Sequence, residues 1–115
     1  MARAVAFVPD LLFGSNVIGA LSAGGHDPVL VSNAADLPGA LPGADVVIVD
    51  LTDDATARIA AAGVALGPHP PRTLAFFSHV EAEVKAAAET AGFDLVVPRS
   101  RMARAAAQLV ADLAG

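Results

Sequence analysis

Asp10, Asp50, Ser78 and Arg99 are the side chains whose types could do chemistry together, and each stands at the end of a short apolar run. Asp50 is the clearest case, because residues 46–49 form an unbroken β-branched run that stops on its carboxylate. Such a run reads as a strand buried on both faces. Ligands of open parallel α/β sheets sit just beyond the carboxyl ends of the strands, so Asp50 is the first candidate site residue. A lone Asp at a strand end commonly caps a turn or helix, and it is the joint placement of four such groups that carries the argument. Two carboxylates in one pocket repel each other, and a divalent cation held by oxygen ligands would relieve the repulsion. Without a cation, Asp50→Asn is expected to leave folding intact or improve it.

The spacing of the apolar residues supplies the elements that bring these groups together. Strands are expected at residues 4–8, 28–31, 45–49, 73–77 and 95–97. A first helix over residues 11–23, with a face of Leu11, Ser15, Ile18 and Leu21 or Ser22, ends at Gly24 and Gly25. Pro38 and Pro42 leave room only for a short helix or turn before the third strand. Thr52 or Asp53 is expected to cap a helix over 54–62 that Gly63 closes. Ser78 and Glu81 form an S-x-x-E capping box before a helix to Ala91 with Val80, Val84, Ala87 and Ala91 on its apolar face. The last helix carries Met102, Ala105, Ala106, Leu109, Val110 and Leu113 at heptad-like spacing. Strands alternating with helices predict an α/β, flavodoxin-like, doubly wound five-stranded parallel sheet of order 2-1-3-4-5 with helices on both faces. In that order the first and third strands flank the switch point, setting Asp10 beside Asp50.

A chain of 115 residues fits one domain, residues 1–115. Although 55 % of the residues are hydrophobic, no run approaches the roughly 18 apolar residues of a membrane helix, and no cleavable leader pattern follows the first apolar run. No membrane association is expected. The chain has no Cys, which excludes disulfides and thiolate metal sites and fits a cytoplasmic location. A net charge of -5 argues against a general nucleic-acid surface, although Arg99, Arg101 and Arg104 form a local basic spot. Without Tyr or Trp, any stacking platform falls to Phe. His26 and His69 lie in Gly- or Pro-rich turns and read as surface residues, and His79 reads as a solvated residue at a helix start beside the site. The Ala-rich, Arg-over-Lys composition has the look of a high-GC bacterial source.

With these residues in place, the chain resembles, over essentially its whole length, the CheY-like receiver domain of bacterial two-component response regulators. The resemblance implies that Asp50 stands at the phosphoacceptor position. It implies that Asp10, Asp50 and the carbonyl of Thr52 are Mg²⁺ ligands and that Ser78 is the switch hydroxyl. Matching Ala91 and Gly92 to the small pair before the family's fifth strand puts Arg99 where the family has a Lys.

Three departures imply a degenerate pocket. Pro9 replaces the first acidic residue, which leaves a weak Mg²⁺ site. Arg99 is a planar fork where the family uses a point charge. Val96 stands where the family commonly has an aromatic residue. The expected function is therefore a stand-alone signalling module, not an enzyme, acting through a protein partner, either a histidine kinase or a downstream signalling protein, and independent of phosphorylation. Self-association through the fourth helix, fifth strand and fifth helix is the expected homodimer mode, with Val84, Val96, Met102 and Leu109 in those elements. A working phosphoacceptor in a phosphorelay is the first alternative. A flavodoxin-like small-molecule-binding or enzyme domain is the second, against which stand the lack of a GxGxxG turn and of a G-x-S-x-G elbow.

Overall fold

The computed structural model describes residues 1–78 and 81–115. Strands β1 (Arg3–Phe7), β2 (Asp27–Val31), β3 (Val46–Asp50), β4 (Arg72–Phe77) and β5 (Leu95–Pro98) form one sheet of order β2-β1-β3-β4-β5. Every neighbouring pair is parallel. Helices α1 (Leu11–Ala23), α2 (Leu37–Ala40), α3 (Ala55–Leu66), α4 (Ala82–Thr90) and α5 (Arg99–Ala114) connect the strands, with a 3-10 turn at Ala34–Asp36 leading into α2. The expected fold class and strand order are the observed ones.

Alternation along the strands builds two cores. Val46 and Ile48 join Ala4, Ala6, Leu74 and Phe76 in one cluster with Phe13, Val17 and Leu21 of α1 and Met102, Leu109 and Val110 of α5. Val47 and Val49 join Val5, Phe7 and Ala75 in the other, under Leu37, Leu51, Ala62 and Ala88. Both faces of β3 are thus covered, which is why its sequence is an uninterrupted apolar run.

Three helix readings need correction. In α1 the buried positions are Phe13, Gly14, Val17 and Leu21, whereas Leu11 is 62 % exposed. The bulky Phe13 ring is drawn under the sheet edge, 5.2 Å from the Phe76 ring, and this sets the face of the helix. Gly63 does not end α3, which runs on to Leu66 before Gly67 turns it off at φ 67°. An internal Gly costs a helix about 1 kcal/mol, and the partial burial of Leu66 against the second core outweighs it. Ser78 does not cap α4: the helix starts at Ala82 after Glu81, and its buried residue is Ala88, four positions beyond the partly buried Val84. Val80, placed on that face by the sequence, and His79 lie outside the described residues.

The histidine at the turn before β2 is also more than a surface residue. His26 Nδ1 accepts from the Ala2 N–H at 3.1 Å while Nε2 lies 3.0 Å from the Ala107 carbonyl. A carbonyl can only accept, so the tautomer is the one protonated at Nε2. His26 thereby ties the start of β1 to α5.

Candidate functional site at the carboxyl edge of the sheet

Register brings the candidate residues to one edge. Phe7 pairs with Val49, Asp50 with Phe76, and Phe77 with Pro98, so Asp10, Asp50, Ser78 and Arg99 all follow strand ends on the same side of the sheet. They do not form one cluster. Among the described residues, no hydrogen bond or ion pair joins Asp50 to Asp10, Ser78 or Arg99, and the edge resolves instead into two separate carboxylate–arginine pairs.

The inner pair centres on Asp50, which is 1 % exposed. Its Oδ1 accepts from the Thr52 N–H at 2.8 Å and from Thr52 Oγ1 at 2.6 Å. On the other oxygen, Oδ2 lies 3.4 Å from an Arg58 guanidinium nitrogen that also donates to the Asp50 carbonyl at 3.0 Å. The Arg58 side chain is itself only 14 % exposed. The segment between them is held to the sheet where the Leu51 N–H donates to the Phe76 carbonyl at 2.8 Å.

The outer pair is half exposed. Asp10 is the N-cap of α1, its Oδ1 accepting from the Leu12 and Phe13 N–H groups, both at 3.1 Å. Its Oδ2 lies 3.6 Å from Arg99, whose guanidinium carbon stands 4.2 Å above the centre of the Phe13 ring. Arg99 is thus engaged with α1, and of the expected basic spot Arg101 and Arg104 remain exposed. Ser78 is half buried, and its carbonyl accepts from the Glu81 N–H at 2.9 Å.

Both carboxylates were expected to repel each other without a counter-charge, and Arg58 overturns that expectation. Arg58 lies eight residues beyond Asp50, inside a helix, where no spacing rule ties it to the strand end. One signal was available: a cation one turn into a helix opposes the positive end of the helix dipole.

This arrangement does not fit Mg²⁺. The ion needs near-octahedral oxygen ligands of net negative charge. Here each acidic group already faces a guanidinium, and its other oxygen is taken by two hydrogen bonds. Among the described residues no group of three or more His, Asp or Glu gathers elsewhere. A cavity of about 550 Å³ lies at the opposite, amino edge, between α3 and the start of β5, lined by Ile59, Leu66, Arg72 and Phe93.

The fold so built is that of response-regulator receiver domains. The receiver domain of the Francisella response regulator 1452 superposes with a TM-score of 0.84 at 11 % identity, covering 99 % of this chain and 97 % of that one. A response regulator from Thermotoga maritima gives 0.82 at 13 % identity, covering 99 % and 98 %. The signal receiver domain of the response regulator NarL from Mycobacterium tuberculosis gives 0.74 at 22 % identity, covering 98 % and 95 %. No family model matches the chain, and no curated protein matches it. Among the described residues no helix is long and apolar enough to cross a membrane.

Proposed function

We propose that residues 1–115 form one receiver-like signalling domain that works by contact with a protein partner and without phosphoryl transfer to Asp50. The observation that carries this reading is the engagement of Asp50: its carboxylate is buried, ion-paired to Arg58 and hydrogen-bonded twice by Thr52. A nucleophilic oxygen needs access and a free lone pair aimed at the incoming group. Burial restricts that access here, and Oδ1 already accepts twice, which supports the reading. The receiver fold of the similar structures supports the signalling class, in which the chain is a non-enzymatic cytoplasmic module and its partner a histidine kinase or a downstream signalling protein.

For self-association through α4, β5 and α5, Met102 and Leu109 are unavailable because both are buried in the core. Val84 and Val96 are partly buried against the second core. The exposed charged groups on α4 and α5 include Glu83, Lys85, Glu89, Arg101 and Arg104, so a contact there would carry a charged component that weakens with salt.

The test is incubation with acetyl phosphate and Mg²⁺ followed by intact-mass measurement, with beryllofluoride and amide NMR in parallel. The expected result is no adduct and an unchanged spectrum. Stoichiometric labelling that disappears in Asp50→Asn would overturn the reading and make the chain a phosphoacceptor.

A further inference from the structure

We propose that Arg58 is the built-in cation of this site, supplying to Asp50 the positive charge that a divalent ion would otherwise bring and holding the β3–α3 connection in a single state. The inference rests on the reading above only in taking Asp50 as the centre of the site.

Three independent features of the β3–α3 connection point to Arg58. The first is the contact itself, in which one guanidinium nitrogen reaches both the carbonyl and the carboxylate of Asp50, a two-point hold on the end of the central strand. The second is burial. A carboxylate that is 1 % exposed is stable as an anion only with a close opposite charge or a full set of donors, and Arg58 is the cation it meets.

The third is that α3 starts from a left-handed residue without a side-chain cap. Asp54 sits at the N-cap in the left-handed region, at φ 49°, with no side-chain capping bond, and the first turn of α3 has no acidic residue. Asp tolerates that region better than most non-glycine residues, at a cost of about 1 kcal/mol, and a cation near a helix start adds an unfavourable dipole term. Departures from local preference concentrate where another interaction decides the structure. The left-handed turn at Asp54 starts α3 at Ala55, which places Arg58 against Asp50.

The hold also explains why Thr52 matters. With Oδ2 directed at Arg58, Oδ1 is free to take both Thr52 donors, and the tight turn at residues 50–52 closes. Arg58 is therefore a positioning residue, acting through Asp50.

The experiment combines a double-mutant cycle with a metal titration on the full chain. Thermal and urea unfolding are measured for the unaltered protein, Asp50→Asn, Arg58→Ala and the double variant. The expected coupling is about tenfold in the unfolding equilibrium, and additive effects would overturn the proposal. Titration with Mn²⁺, followed by amide NMR, should leave the unaltered protein undisturbed. In Arg58→Ala the bared carboxylate should gain a response, with selective broadening at residues 50–52 and a metal-dependent Tm rise of roughly 4 °C, both lost in the double variant. An Arg58→Ala protein that folds yet ignores Mn²⁺ would overturn the proposal. If Arg58→Ala does not fold, the double variant must fold, since its carboxylate is gone; failure of both would assign Arg58 a packing role instead. Labelling of the unaltered protein by acetyl phosphate would sink the proposed function and leave this coupling untouched. An additive cycle would sink the coupling, while the proposed function would still be decided by the labelling result.

Discussion

Arg99 stacks its guanidinium 4.2 Å above the ring of Phe13, while one of its nitrogens stands 3.6 Å from Asp10. The first helical residue of α5 is in this way fastened to the first turn of α1. Arg99, placed by the resemblance where a Lys would stand, here serves the junction of two helices.

Arg99→Ala should therefore lower stability by about 1 kcal/mol, the sum of a half-exposed ion pair and an exposed cation–π contact. Arg99→Lys should keep part of that, since an ammonium retains the charge and loses the planar stack. Urea unfolding of the two variants checks the order, and equal losses would assign the effect to packing of the stem.

Asp50→Asn should destabilise the fold by about 1–3 kcal/mol, against the sequence-based expectation of a neutral or favourable change. Loss of the charge leaves Arg58, 14 % exposed, facing a neutral amide. Thermal unfolding decides the sign. A raised Tm would show that Arg58 does not neutralise Asp50.

His26→Ala should cost about 1–2 kcal/mol, because two bridging hydrogen bonds vanish and the Ala2 N–H loses its partner. Hydrogen exchange at the Ala2 amide provides a local reading. An unchanged exchange rate would mean that water replaces the imidazole without loss.

Gly24→Ala probes the closest approach of α1 to α5. Gly24 has φ -81°, which any residue can adopt, but a Cβ there would lie 2.5 Å from the Ala107 Cβ. The variant should lose about 1–3 kcal/mol through overpacking, and Gly24→Ala combined with Ala107→Gly should recover much of it. Additive losses in urea unfolding would refute the contact.

Much of the fold was legible in the sequence because it depends on short-range pattern. The apolar run over residues 46–49 announces a strand covered on both sides, and Asp50 at its end follows from chain direction alone. The same holds for α5, whose buried Met102, Ala106, Leu109 and Val110 keep helix spacing across a break at Ala105, where φ is -135°. Where competing local signals were close in strength, packing chose between them. Gly63 stays helical because Leu66 lies beyond it, and the capping box at Ser78 yields to a helix start at Ala82. The partner of each carboxylate was beyond reach of pattern. Ion pairing falls off over a few ångströms, and the 3.4 Å between Arg58 and Asp50 depends on how α3 leaves the sheet through a left-handed Asp54. The sequence by itself determined that Asp10, Asp50, Ser78 and Arg99 follow strand ends on one side of the molecule. Only the tertiary structure decided which arginine neutralises which acid, because helix rotation and the backbone of a four-residue connection set distances that no spacing rule encodes.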